Sequence, residues 1–76
     1  MDIKLAIGNR IKELRSKTGL SQEEFADIAS IDRTYVTRLE TGKRNVTLQS
    51  LQKIIKALNT TYCDFFNHPS FKNNNE

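Results

Sequence analysis

Four side chains between positions 33 and 38 are suited to recognising the base edges of duplex DNA: Arg33, Thr34, Thr37 and Arg38. On a helix, residues one turn apart share a face, so these groups can reach the same few base pairs. A guanidinium can donate two hydrogen bonds to guanine O6 and N7, and a threonine offers a hydroxyl to a base edge or a methyl group to thymine. We predict that this face reads bases, with Arg33 on guanine and Arg38 on a base or a phosphate. The alternative is an ordinary solvated helix surface.

A second set of polar residues suits the sugar-phosphate backbone. Contacts of this kind fix the position of a protein on the duplex and carry little sequence information. Gln22 is expected at a helix N-terminus, where free amide groups favour a phosphate. The predicted backbone set is Gln22, Tyr35, Lys43, Arg44 and Asn45. The alternative for Gln22, and for the loop from Lys43 to Asn45, is simple solvation.

Two short helices must hold these groups in place. Ser21 and Glu24 form a predicted capping box, in which each side chain accepts a hydrogen bond from the other residue's amide. Apolar residues at helical spacing follow, the run breaks at Ser30, and Asp32 begins a second helix, running to Glu40, as its N-cap. Two helices joined by a turn of about three or four residues form a helix-turn-helix.

Three further helices complete a predicted all-α fold. The first extends from Ile3 to Lys17, the fourth from Leu48 to Leu58, and the fifth from Thr61 to Asn67. Their apolar stripes should face the core. In the first helix the stripe is Leu5, Ile7, Ile11 and Leu14, and in the fourth it is Leu48, Leu51, Ile54, Ile55 and Leu58. We predict one domain at residues 1–69 and a flexible tail at residues 70–76.

The aromatic residues of the fifth helix predict a dimer contact. A short chain can hide only one or two of these rings, and an exposed remainder would mark an interface. The predicted homodimer interface consists of Ile55, Leu58, Tyr62, Phe65 and Phe66. The alternative is that all of these residues complete the core. Cys63, on the same helix, is interpreted as a small packing residue.

Length and composition exclude several classes of function. The chain has 76 residues, a formal charge of +3, one cysteine and one histidine. This is enough for one domain and suits an anionic partner, but it does not allow an internal disulfide or a metal site. No phosphate-binding loop or nucleophile–base pair indicates an enzyme. We expect no cofactor, no small-molecule ligand and no membrane segment, and a free thiol fits the reducing cytoplasm.

Residues Ser21 to Glu40 resemble the helix-turn-helix of the phage-repressor (XRE-like) regulators. More narrowly, GLSQEEFA followed by DRTYVTRLETGKRN is similar to the controller proteins of restriction-modification systems. The resemblance implies a five-helix, lambda-repressor-like DNA-binding domain and a half-buried ion pair between Arg15 and Glu40. One residue departs from the family pattern. The first turn position usually holds glycine because its φ is positive, and Ser30 would adopt that conformation at a strain of about 1 kcal/mol or more.

The predicted function is sequence-specific binding of double-stranded DNA by a homodimer. Two recognition helices would enter successive major grooves, about 34 Å apart, on a pseudo-palindromic operator. Resemblance to controller proteins implies autoregulation of a restriction-modification operon, with recruitment of RNA polymerase from one site and repression when a second site is filled. A phage-type or chromosomal repressor, an antitoxin, or a protein-binding module on the same fold would be alternatives.

Overall fold

The computed structural model describes residues 2–72, which form five α-helices and one 3-10 turn. The helices are α1 (Ile3–Thr18), α2 (Gln22–Ala29), α3 (Arg33–Glu40), α4 (Leu48–Ala57) and α5 (Tyr62–Phe66), and the turn is Pro69–Phe71. Strands are absent from the described residues. The predicted all-α, five-helix fold is confirmed.

The start of each helix is fixed by a side chain that accepts a backbone hydrogen bond. These N-caps are Asp2, Ser21, Asp32, Thr47 and Thr61. At α2 the capping box is reciprocal, and the hydrogen bond from the Ser21 amide lowers the pKa of the Glu24 carboxyl. This interaction is therefore complete above the ordinary carboxyl pKa and is lost as the pH falls through the lowered value.

The turn between α2 and α3 contains the strained residue that the sequence predicts. Ser30 has φ 57° and ψ 45°, in the left-handed region. The next amide, of Ile31, donates to the Ala26 carbonyl at 3.0 Å, which satisfies a helix end in the manner of a Schellman motif. Ile31 also packs against the core, so the turn redirects the chain into α3 while burying apolar surface.

The core lies where all five helices meet. Its largest fully buried side chains are Ile11, Phe25, Val36, Leu39, Ile54 and Phe65. Two residues of the predicted stripes are exposed instead: Leu48 by 82% and Leu5 by 45%. Leu48 is the first residue of α4. Leu5 lies against the Gly42 turn and not beneath a helix.

Arg10 anchors α5 to α1. Its Nε donates to the Phe65 carbonyl and its Nη2 to the Asp64 carbonyl, both at 2.7 Å, and its Nη1 pairs with Glu13 at 2.9 Å. The same hydrogen bond from Arg10 lowers the pKa of the Glu13 carboxyl. These bonds reach carbonyl groups in the last turn of α5, where helices lack backbone donors, although the Asp64 carbonyl also accepts from the Asn67 amide at 3.2 Å. They hold the Phe65 ring inside the core.

Burial of this ring corrects the predicted dimer interface. Phe65 is 0% exposed, Ile55 4% and Leu58 5%, so these three residues belong to the core of the single chain. Ile55 and Leu58 belong to the apolar stripe of α4 that packs in the core, and Phe65 is held against α1 by Arg10, a contact that has no signal in the sequence. Tyr62, 49% exposed, and the half-buried Phe66 keep accessible surface. Cys63 is exposed, so its interpretation as a packing residue is wrong.

The predicted boundary at residue 69 falls within a folded segment. Pro69–Phe71 forms the 3-10 turn, and the Phe71 ring lies 5.0 Å from that of Phe66, edge to face. The Ser70 amide donates to Nδ1 of His68 at 3.1 Å, which holds the start of the turn. Residues 73–76 of the predicted tail lie outside the described residues.

Helices α1 and α3 lie very close to each other at Gly8, where a Cβ atom would overlap the Leu39 carbonyl oxygen. We expect Gly8→Ala to lower the free energy of unfolding by about 1–3 kcal/mol, because the two helices would have to separate. In an ordinary helix interior the same change is stabilising by about 0.5–1 kcal/mol. Urea unfolding measures the difference, with Asn9→Ala, at the exposed neighbouring position, as the control. Equal stability of the two variants would contradict the close approach.

Candidate nucleic-acid interface

Helix α3 presents its polar side chains outward because its apolar side is held in the core. Val36 and Leu39 are 0% and 2% exposed, and the Asp32 carboxylate accepts the Thr34 amide at 2.8 Å at the helix start. The four predicted base-reading residues, Arg33, Thr34, Thr37 and Arg38, are all exposed on this helix. The structure therefore brings them together on one short element, as base readout requires.

The far end of α3 is fixed by a buried ion pair. Arg15 donates to Glu40 twice, from Nε to Oε2 at 2.7 Å and from Nη2 to Oε1 at 3.0 Å. The side chains are only 12% and 2% exposed, and the hydrogen bonds to Glu40 raise the pKa of Arg15. A further bond, from Nη1 to the Leu20 carbonyl at 2.8 Å, ties the pair to the start of α2. The pair thus joins α1 and the segment before α2 to the end of α3.

The side chain of Gln22 forms hydrogen bonds to two other side chains of the protein. Its Nε2 donates to Glu40 Oε1 at 3.0 Å, and its Oε1 accepts from the Thr37 hydroxyl at 2.9 Å. The oxygen and one N–H group of this amide therefore connect α2 to α3, which leaves its second N–H group for the predicted phosphate contact. Sequence reasoning missed this connection, since only the crossing of the two helices brings positions 22, 37 and 40 together.

Tyr35 holds the loop that follows α3. Its hydroxyl donates to the Asn45 carbonyl and accepts from the Thr47 amide, each at 3.3 Å. The guanidinium carbon of Arg44 lies 5.3 Å from the centre of the Tyr35 ring, within the range of a cation–π contact. A hydroxyl has one hydrogen, so the phosphate contact predicted for Tyr35 is replaced by a role in shaping the loop.

The loop itself places three exposed polar residues beside α3. Gly42 has φ 75°, and the Lys43 amide donates to the Arg38 carbonyl at 2.9 Å, so the chain turns sharply where α3 ends. Lys43, Arg44 and Asn45 are all exposed. The predicted backbone-contacting loop thus borders the base-reading face.

Within the helix-turn-helix, the positive side chains lie on α3 and not on α2, whose outer face carries Glu23, Glu24 and Asp27. Arg33 Nη1 lies 3.7 Å from Glu23 Oε2, and both side chains are largely exposed. Exposed pairs of this kind stabilise by about 0.2–1 kcal/mol. Arg33 can therefore leave Glu23 for a stronger acceptor at little cost.

Residues 2–72 contain neither a metal site nor a membrane-spanning helix. Within that range no group of His, Cys, Asp and Glu side chains is arranged to hold a metal ion. The helices in the same range are too short or too polar to cross a membrane.

Comparisons with known sequences agree with this geometry. A helix-turn-helix family model matches residues 11–65. The control protein C.MunI of Mycoplasma sp is 50% identical over 66 residues, which cover 86% of this chain and 89% of that protein. The control protein C.SmaI of Serratia marcescens is 38% identical over 73 residues, covering 96% and 87% of the two chains.

Solved structures with a similar fold include two restriction-modification controller proteins. C.AhdI from Aeromonas hydrophila superposes with a TM-score of 0.82 at 38% identity, over 87% of this chain and 100% of that one. A chain of C.Esp1396I, from the structure of its tetramer in complex with its natural 35 base-pair operator, superposes with a TM-score of 0.78 at 35% identity, over 83% of each chain.

Proposed function

This chain belongs to the helix-turn-helix family, and within it to the control proteins of restriction-modification systems, and we propose on that basis how α3 and the following loop contact DNA. It is a DNA-binding transcriptional regulator and not an enzyme. Its function is to bind a specific double-stranded operator and control the genes of a restriction-modification system, its own included. The observation that carries this proposal is the exposed face of Arg33, Thr34, Thr37 and Arg38, on a helix whose other side is buried.

The proposed contacts fall into two classes. Arg33, Thr34, Thr37 and Arg38 read base edges in the major groove, with Arg33 bidentate on guanine. Lys43, Arg44 and Asn45 contact phosphates on the flank, and Tyr35 supports them by holding the loop. Lys and Arg contacts to phosphates release counterions, so affinity falls steeply with salt.

The proposed binding unit is a homodimer on a pseudo-palindromic site, with recognition helices about 34 Å apart. C.Esp1396I occupies its operator as a tetramer, which two such dimers on adjacent sites would produce. Tyr62 and Phe66 supply accessible aromatic surface for the contact between copies. We place the protein in the cytoplasm with the DNA, where one bound site recruits RNA polymerase and a second blocks it.

Arg33→Ala tests the base-reading assignment, with Lys43→Ala as the matched loss of one positive charge. Arg33→Ala should weaken specific binding by about 1–3 kcal/mol and relax the base preference at one position of each half-site. Lys43→Ala should weaken binding to all sequences and reduce the salt slope by about one. Fluorescence anisotropy titrations against operator and scrambled duplexes, at several salt concentrations, measure both effects.

Two outcomes would contradict these assignments. A uniform loss for Arg33→Ala across all sequences would place that guanidinium on a phosphate. An unchanged salt slope for Lys43→Ala would remove the loop lysine from the backbone contacts.

A further inference from the structure

Four side chains form a continuous chain of hydrogen bonds from the core to the DNA-facing surface. Arg15 donates to Glu40, Gln22 Nε2 donates to Glu40 Oε1 at 3.0 Å, and the Thr37 hydroxyl donates to Gln22 Oε1 at 2.9 Å. Glu40 lies 5% exposed at the inner end, and Thr37 is exposed at the outer end. The chain therefore connects a buried charge to a residue of the base-reading face.

The donor and acceptor of each bond in this chain are determined by the bond nearer the core. Glu40, paired with a guanidinium, is an ionised carboxylate and can only accept. Gln22 must therefore turn its NH2 group towards Glu40, which leaves its carbonyl oxygen facing Thr37. That oxygen also can only accept, so the hydroxyl of Thr37 must donate to it.

The single hydrogen of the Thr37 hydroxyl is thus directed inward. Its other acceptor in reach, the Arg33 carbonyl at 3.2 Å, lies on its own helix and also draws the hydrogen away from solvent. The hydroxyl then has only lone pairs to offer outward. In the major groove, adenine N6 and cytosine N4 are donors, whereas guanine O6 and N7 and thymine O4 are acceptors.

We propose that Thr37 reads DNA as a hydrogen-bond acceptor only, on the amino group of an adenine or a cytosine, and that Gln22 is the positioning residue that enforces this polarity. The proposal rests on the proposed function and specifies which base group one residue recognises. It also gives Gln22 a role in specificity that a phosphate contact would not have.

The experiment begins with an operator obtained by selection from random duplexes. Comparing wild type with Thr37→Val, an isosteric change that removes only the hydroxyl, locates the base pair at which preference depends on that group. At this pair, adenine is then replaced by purine, or cytosine by 2-pyrimidinone, to delete the amino group alone. The acceptor control deletes N7 by use of the 7-deaza purine.

Deletion of the amino group should weaken wild-type binding about three- to tenfold, the size of one net hydrogen bond. It should have a smaller effect on Thr37→Val, and Thr37→Ser, which keeps the hydroxyl, should behave like wild type. Gln22→Leu should reduce the amino-group effect in part, because the hydroxyl loses its shorter inward acceptor, at 2.9 Å, and keeps only the Arg33 carbonyl at 3.2 Å, so its hydrogen can turn towards the bases more often. Circular dichroism establishes that each variant is folded.

Three results would overturn the proposal. The first is that the difference between wild type and Thr37→Val disappears on deletion of N7 and not on deletion of the amino group. The second is an unchanged base preference in Thr37→Val. The third is an amino-group effect in folded Gln22→Leu equal to that of wild type. If Gln22→Leu does not fold, the comparison of wild type with Thr37→Val still decides the polarity. Failure of wild type to select any operator would instead refute the proposed function, so the two failures are distinguishable.

Discussion

Glu40→Ala should lower the free energy of unfolding by about 3–5 kcal/mol, the cost of leaving one partner of a buried pair uncompensated. The change leaves the Arg15 side chain, only 12% exposed, without its carboxylate partner, and it removes the acceptor of the Gln22 amide. The whole stability of a domain of this size is about 5–10 kcal/mol. We therefore expect the variant to be largely unfolded at moderate urea concentrations, as measured by the loss of helical circular dichroism.

The control for this prediction is Glu23→Ala, which removes an exposed glutamate and not a buried one. The Glu23 side chain is 70% exposed and lies 3.7 Å from Arg33, so its loss should cost less than about 1 kcal/mol. Comparable stability losses in the two variants would show that burial of Glu40 does not determine its contribution.

Phe65→Ala should destabilise the single chain by about 3–5 kcal/mol, because it empties the space of a fully buried ring. Tyr62→Ala, on the same helix, should change the free energy of unfolding by less than about 1 kcal/mol, since half of that side chain is already exposed. Its expected effect is on self-association. Urea unfolding and analytical sedimentation of both variants measure the two quantities separately.

This contrast tests where the core ends and the contact between copies begins. A Phe65→Ala protein that unfolds like wild type but sediments as a monomer would show that Phe65 belongs to the dimer interface and not to the core. A Tyr62→Ala protein that associates as strongly as wild type would move the contact away from the exposed side of α5.

Local features of the fold could be predicted from the sequence because their partners are at most five residues apart. The Ser21–Glu24 capping box, the Asp32 N-cap and the left-handed Ser30 all depend on a few neighbouring residues, and each is present in the structure. The exposed face of α3 follows in the same way, since burial of Val36 and Leu39 leaves only one side for the polar residues.

Features that depend on how helices cross could not be predicted from helical spacing, and the Arg15–Glu40 pair between α1 and α3 was expected only from the family resemblance. The bond between Gln22 and Glu40 requires the observed angle between α2 and α3, and helical spacing within one element contains no information about it. The burial of Phe65 depends on Arg10, 55 residues earlier, which satisfies the end of α5 against α1. In both cases the decisive partner belongs to another helix, so polar and aromatic residues that resembled surface groups proved to be internal.

Selection of bound duplexes from a random-sequence pool, at low salt with wild-type protein, would decide whether the exposed side of α3 recognises DNA. We expect enrichment of a two-fold related sequence whose half-sites are centred about 34 Å apart, one helical turn of duplex. The same selection with Arg33→Ala should lose the preference at one position of each half-site. A bound pool with the same base composition at every position as the starting pool would contradict the assignment of α3 as a recognition helix.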